Sequence, residues 1–371
     1  MFVPATLVRG GTSKCWLFDS RDVPATREKL ADMLVAVYDA EDPSQVDGVG
    51  GATPTTSKAA VAGPSDVAGV DVDYLFAQVG IGVRRVEWAS NCGNCATAIA
   101  LWAVARGVVR PDGDRTPVVL RNINTGTVLE ADVDTTGDEI HWFGDHTVPG
   151  TRSGGVGVGL TFIDPIGATT GKVTPTGHNI DMLDLEGTAV PATLVDAGAP
   201  VALADGRALG ATGTETLADV EALVEPLRRI RRQAASHMGL GDSGVPPADS
   251  VPKVGIVGPP TDYTTELAEP VAASDYDVAV RMLSMTAPHP AIGLTSAVAV
   301  AVAHLLEGSL IHTASTTAGT PVLRIGTPSG VVTVRCEDVN PAGPRRVTVA
   351  RAARVLADAQ ILVPNLLAKP A

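Results

Sequence analysis

Four polar clusters carry the side-chain types needed for proton transfer and anion capture. They are Arg9-Gly-Gly-Thr-Ser-Lys14, Asp47-Gly-Val-Gly-Gly-Ala-Thr-Pro-Thr-Thr-Ser-Lys58, Ser90-Asn-Cys-Gly-Asn-Cys95 and Arg281-Met-Leu-Ser-Met-Thr-Ala-Pro-His289. The third opens an apolar run from Asn94 to Arg106, closed by Gly107. A buried helix starting there leaves backbone N–H groups unpaired, at the positive end of its dipole. Ser90, Asn91 and Asn94 are cap-type residues, and Gly93 lets a ligand approach the backbone, so this helix end suits a carboxylate. Cys92, just ahead of the helix, is expected to have a lowered thiol pKa and to act as a base or nucleophile. The plainer alternative is a capped helix with a small buried thiol.

Lys14 and Lys58 each end a Thr-Ser-Lys preceded by glycines. Neither fits the phosphate-binding loop, in which the lysine comes before the Ser or Thr. Lys58 abuts Ala59-Ala-Val-Ala62 and is expected to be partly desolvated, which favours the neutral amine and makes it a usable base. Cys92 and Cys95 form a Cys-x-x-Cys. Zinc needs further ligands that the sequence does not space suitably. A thiol–disulfide site is the stronger of these two alternatives, although its βαβ context is missing.

The elements that position these clusters follow from pattern. The runs Asn94–Arg106 and Leu294–Leu306 have helical length and a glycine just past the end, and no charged face. Such helices must be buried on every side. They are too short to cross a bilayer. Short β-branched runs surround them: Val79–Val86, Pro117–Asn122, Thr127–Val133, Val156–Ile163, Pro252–Val257, Pro321–Ile325, Val331–Arg335 and Arg346–Arg351. Consecutive strands of this kind pair mostly antiparallel. Arg27–Tyr38 and Glu215–Met238 read as solvated helices, the second with Arg228-Arg229-Ile-Arg231-Arg232 on its solvent face. The expected class is α+β, in two similar domains, 1–185 and 186–371. Each is a curved, barrel-like sheet around one buried helix, at about 93–106 and 293–306, with the C-terminal segment free to return to the first domain.

Composition bounds the function. The 371 residues are 45% hydrophobic and 19% charged, which excludes global disorder and leaves ample material for two cores. The net charge of −13 argues against a nucleic-acid partner. No signal peptide or membrane span is read. Four scattered cysteines suit a reducing cytoplasm better than a disulfide framework.

The set Arg9-Gly-Gly-Thr-Ser-Lys14, Gly50-Gly-Ala-Thr-x-Thr-Thr-Ser-Lys58, Asn91-Cys-Gly-Asn94 and Arg281-Met-x-Ser-Met285 resembles the PrpF family. These are the 2-methylaconitate cis–trans isomerases and their relatives, including 4-oxalomesaconate tautomerase and methylitaconate Δ-isomerase. The resemblance spans nearly the whole chain. It implies the diaminopimelate epimerase-like fold, with the active site in the cleft between two domains. It also implies Lys58 as the principal proton-transfer residue, with Cys92 where epimerases place their first catalytic thiol. The epimerases have a second cysteine opening the second central helix. Here that region reads Pro290-Ala-Ile-Gly293-Leu-Thr295-Ser296, so a two-cysteine mechanism is not expected.

The reading is a cofactor-independent and metal-free isomerase of a small unsaturated di- or tricarboxylate, with Lys58 and Cys92 catalytic. Arg9, Lys14 and Arg281 are the candidate carboxylate anchors. Ser13, Thr56, Ser57, Asn91, Asn94 and Ser284 are candidate hydroxyl or amide donors, Gly93 a backbone contact, and His289 a further acid–base or binding group. Cys95 is read as packing. No membrane partner is expected, and a homodimer is the one assembly kept open. The rival readings are a non-catalytic carboxylate-binding protein of the same fold and a thiol redox protein using Cys92 and Cys95.

Overall fold

The computed structural model describes residues 1–88, 92–240 and 251–364. The chain divides into two compact units, Met1–Leu160 together with Arg351–Ala371, and Thr161–Ala350. The division therefore falls at 160 and 350, not at 185. Residues 181–185 form a strand that pairs within the second unit, which carries that stretch away from the first.

The first unit contains β1 (Phe2–Gly10), β2 (Ser13–Asp19), α1 (Arg27–Tyr38), β3 (Lys58–Pro64), β4 (Val72–Val79), β5 (Val86–Glu87), α2 (Gly93–Ala105), β6 (Arg115–Asn122), β7 (Val128–Thr136), β8 (Glu139–Ile140) and the start of β9 (Val156–Ile163). It is completed by the end of β20 (Gly343–Leu362), which pairs antiparallel with β1. The order β1-β2-β3-β4-β6-β7-β9-β20 returns to β1, so the sheet closes on itself. Among β1 to β7, pairing is antiparallel except β2–β3 and β4–β6, which are parallel because α1 and α2 lie in those connections. α2 packs against β1, β2, β3, β6 and β7, and every residue from Cys95 to Val104 is buried. That is the outcome its all-round apolar sequence requires. α1 lies on the opposite sheet face, where Met33, Leu34 and Val37 share a core with Phe18, Ala59, Val61, Leu75 and Ala77.

The second unit contains β10 (Asp181–Leu185), β11 (Thr188–Ala197), β12 (Ala199–Asp205), α3 (Leu217–Glu221), α4 (Val224–His237), β13 (Lys253–Gly258), β14 (Tyr263–Thr264), β15 (Pro270–Val271), β16 (Val278–Ser284), β17 (Ala287–Pro288), α5 (Leu294–Leu305), α6 (Leu310–Ala314), β18 (Val322–Thr327) and β19 (Gly330–Asn340). The run β11-β12-β13-β16-β18-β19 is antiparallel, parallel, antiparallel, parallel, antiparallel, the same series as β1-β2-β3-β4-β6-β7. α5 packs on β11, β12, β18 and β19. The repetition reaches single residues. Asp73 and Arg121 face each other across β4 and β6 and form a two-bond ion pair. Asp277 and Arg324 do the same beside β16 and β18.

Three expectations need correction. Val79–Val86 is a tight turn closed by Gly80 N–H to Arg85 O at 2.8 Å, because Gly80, Gly82 and the charged Arg84-Arg85 interrupt the apolar pattern. Glu215–Met238 is two helices, α3 and α4, broken after Glu221. Its basic run is not wholly solvated: Arg229 pairs with Glu186 and Glu225, but Arg231 is buried. Among the described residues no helix is long and apolar enough to cross a membrane.

Candidate active site

The amino terminus of α2 organises the site within the first unit. Cys92 is the N-cap residue, with extended backbone, and its carbonyl accepts from Ala96 N–H at 2.9 Å. No side chain among the described residues caps the helix. Asn94 instead donates its amide to Thr12 Oγ1 at 3.1 Å and Ser13 Oγ at 3.3 Å, tying the β1–β2 turn to the first helical turn. Two glycines make that approach achievable. A Cβ on Gly10 would lie 1.9 Å from Asn94 O, and one on Gly11, at φ +56°, 2.2 Å from Asn94 Oδ1. Gly93, Asn94 and Ser13 thus share one locality, while Ser90 and Asn91 lie outside the described residues.

Lys58 is the first residue of β3, directly opposite Gln78 of β4. Its ammonium donates to Gln78 Oε1 at 2.6 Å and stands 5.0 Å from the centre of the Phe76 ring. Gln78 is itself fixed, because its Nε2 donates to Ser57 O at 2.8 Å. Phe76 is held through both backbone groups by Asn124. The hydroxyl of Tyr38 donates to Lys58 O. Gln78 and Phe76 orient the lysine, and the reading of the sequence missed both. An amide near the end of a strand, two positions from an aromatic, was the available signal.

The Cys92 thiol behaves oppositely to expectation, whereas Cys95 is buried in the core as expected. A hydrogen bond with the Cys95 sulphur and then burial push the Cys92 thiol well above its ordinary range, against the weaker opposing pull of the nearby Lys58 ammonium. Burial and then Cys15 push Cys95 up as well. Burial and the neighbouring Cys95 thiol both act against the lowering expected at a helix start. The direction favours the neutral thiol over the thiolate, which works against nucleophilic attack. The same elevation removes the thiolate on which disulfide exchange depends.

The remaining candidates divide. Ser57 is fully buried and spent, donating to Val79 O and accepting from Gln45 Nε2. Thr56 is engaged with Thr53 inside the turn before β3. Arg9 donates to the carbonyls of Gly11, Ser153 and Gly154. Burial, followed by the neighbouring Arg354, lowers its pKa. Lys14 and Arg354 sit directly opposite Arg9 on the two flanking strands, so three cations form a row across β2, β1 and β20. Strand alternation places this row on the face opposite Gly10 and Ser13. In the second unit Arg281 is only 1% exposed and its guanidinium serves the carbonyls of Glu215, Val280 and Gly326. Its Nε and Nη1 brace that unit, which turns those donors away from the carboxylate-anchor role expected of Arg281. Ser284 is exposed at the β16–β17 turn. The His289 Nδ1 accepts from Ala291 N–H, which places its proton on Nε2 when the ring is neutral. A separate cavity of about 550 Å³ is lined by Asp134, His141, Phe143 and His146 among others, and none of the candidate residues lines it.

The PrpF protein family model matches residues 1–364. The chain is 34% identical to a 2-methyl-aconitate isomerase of Shewanella oneidensis, over 98% of this chain and 97% of that protein. It is 36% identical to a 4-oxalomesaconate tautomerase of Pseudomonas putida, over 90% and 88%. The crystal structure of a methylitaconate-delta-isomerase superposes with a TM-score of 0.87 at 28% identity, covering 100% of this chain and 99% of that one.

Proposed function

The chain belongs to the PrpF family, and from that premise we propose that it isomerises a small unsaturated di- or tricarboxylate by proton abstraction and return. The observation that carries this is the fixed Lys58 side-chain nitrogen, held by Gln78 and Phe76 close to the thiol that precedes α2, whose start no side chain among the described residues caps.

The chemistry is redox-neutral and needs no co-reactant. A C–H bond next to a carboxylate-activated double bond breaks, and its proton passes to the Lys58 amine. The electron pair spreads through the double bond into the carboxylate oxygens. Stabilising that added charge on an acid already negative is the hard part. Preorganised N–H groups at a helix start serve it without reorganisation. A proton then returns at another carbon, or at the same carbon after rotation, and the neutral Cys92 thiol is a second donor for that step. The relatives act on 2-methylaconitate, 4-oxalomesaconate and methylitaconate by name, three unsaturated polycarboxylates. That shared chemistry supports the substrate class without choosing its member. The cysteines are all free, which suits a cytoplasmic setting.

The test is a panel of unsaturated di- and tricarboxylic acids followed by enoate absorbance and proton NMR in deuterium oxide. At least one acid should isomerise, with deuterium in the product. Lys58→Met should keep the fold and lose about 10²- to 10⁴-fold in rate, the usual contribution of an acid–base group. A panel with no turnover, or a Met variant within a small factor of wild type, would sink the reading.

A further inference from the structure

Arg351 is the first residue of the C-terminal segment that rejoins the first unit. It lies within β20, between Val349, the last residue paired with β19, and Ala353, which faces Gly10 of β1. Two residues along a strand return to the same face, so Arg351 shares the face of Ala353 and Gly10. That is the face on which the first turn of α2 sits, because Asn94 fills the space where Gly10 lacks a Cβ. Beside Arg351, Ala352 O accepts from Gly11 N–H at 2.9 Å. The Arg351 side chain therefore leaves the strand on the α2 side of the sheet.

Arg351 is 7% exposed, and its Nε is enclosed without a hydrogen-bond partner. Among the described residues no carboxylate pairs with it. Burial alone pushes its pKa down to about 10. The contrast with two other arginines is direct. Arg281 gives its Nε and Nη1 to three carbonyls, and Arg324 pairs with Asp277. A buried charge without a partner is costly, so its presence on this strand calls for an explanation.

We propose that Arg351 is a substrate-anchoring residue, whose guanidinium receives one carboxylate of the polyacid on the α2 side of the sheet. The proposal rests on the isomerase reading for the identity of that acid. It replaces Arg281 as the arginine that a planar, bidentate carboxylate contact would use. It also explains a cation whose cost nothing within the described chain offsets.

The experiment compares wild type, Arg351→Met, Arg351→Gln and Arg351→Lys in three measurements: thermal denaturation, steady-state kinetics on whichever acid the panel identifies, and calorimetric binding of tricarballylate, a saturated tricarboxylate with no double bond to isomerise. Loss of a buried carboxylate contact should raise KM about 10²-fold in the Met and Gln variants and weaken tricarballylate binding to a similar degree. Lys should recover part of both. Melting temperatures of the Met and Gln variants should equal or exceed that of wild type, because an unpaired buried charge has been removed. An arginine serving structure alone would give the reverse, a lower melting temperature with KM unchanged, and that result overturns the proposal. If wild type turns over an acid and the Gln variant keeps its KM and its tricarballylate affinity, the anchor is refuted and the isomerase reading stands. If wild type turns over nothing but binds tricarballylate through Arg351, the isomerase reading fails and the anchor stands.

Discussion

Lys58 has every freedom but one removed. Its backbone carbonyl is bound by Tyr38, its ammonium by Gln78 at 2.6 Å, and its position by the Phe76 ring. A lysine side chain loses much rotamer entropy when fixed, so the surroundings supply the orientation in advance. Gln78→Leu should leave the strand pairing intact and lower kcat about tenfold to a hundredfold, the worth of a hydrogen bond to a charged group. Unchanged kcat in that variant would make Gln78 a bystander. The thiols give a second residue-scale expectation. Cys92→Ala should lose kcat, whereas Cys95→Ala should chiefly lower stability, by about 1–3 kcal/mol. Because the Cys95 sulphur hydrogen bond is the leading reason the Cys92 thiol stays protonated, Cys95→Ala should also make Cys92 easier to alkylate at neutral pH. An alkylation rate that does not rise would contradict the neutral-thiol account.

At the scale of elements, α2 is placed by absences. It has no charged residue in its first turn and, among the described residues, no side-chain cap, and it meets β1 through Gly10, where there is no side chain at all. The helix start can approach the strand that closely only because two glycines leave the room. Gly10→Ala would force a methyl group to within 1.9 Å of Asn94 O. The backbone of the first helical turn would have to move. It should cost at least the ~1–3 kcal/mol typical of overpacking and reduce kcat, since the same turn carries Cys92 and Gly93. Gly293, before α5, has an ordinary φ of −64°, and a methyl group there would meet only Ser296 Oγ, at 3.5 Å, so Gly293→Ala serves as the tolerated control. Equal melting temperatures for the two variants would refute the packing argument.

At the scale of the molecule, one plan is built twice, and each copy is held across its parallel strand pair by the same ion pair. In the second copy burial opposes the charge on Asp277, but the hydrogen bonds from Arg324 outweigh it and leave the pKa lowered. In the first, the hydrogen bond from Arg121 lowers Asp73 against burial. A carboxyl whose folded pKa lies below its unfolded value adds stability at pH above the ordinary value of about 3.9. That stability is lost as pH falls through the folded pKa. Melting temperature should therefore fall on acidification below about pH 4, and Asp277→Asn should be less stable at neutral pH and flatten that decline. Asp277 is almost wholly enclosed, with its side chain 2% exposed against 25% for Asp73, so its loss should be the larger of the two. A decline as steep in Asp277→Asn as in wild type would remove this pair from the acid response.

The sequence by itself determined what local chemistry can dictate. Two runs with no polar face had to be interior helices, and their observed limits, Gly93–Ala105 and Leu294–Leu305, lie within a residue or so of the expected ones. The order of the glycine-rich polar motifs resembled the PrpF family, to which the chain belongs. The duplication was visible only as layout, although Val119-Leu-Arg121 and Val322-Leu323-Arg324 spell the same strand. Tertiary structure alone decided which polar groups remain available. Arg281 and Ser57 have the chemistry of ligand donors, but folding gives them carbonyl partners. A thiol at a helix start should be acidic, yet the contact from Cys95 together with burial turns the Cys92 shift upward. Arg351 reads in the sequence as one more strand residue, and folding leaves its Nε enclosed with no partner. The physical reason is common to all four. Composition and spacing record which groups a chain owns, but desolvation and pairing depend on neighbours far away in sequence.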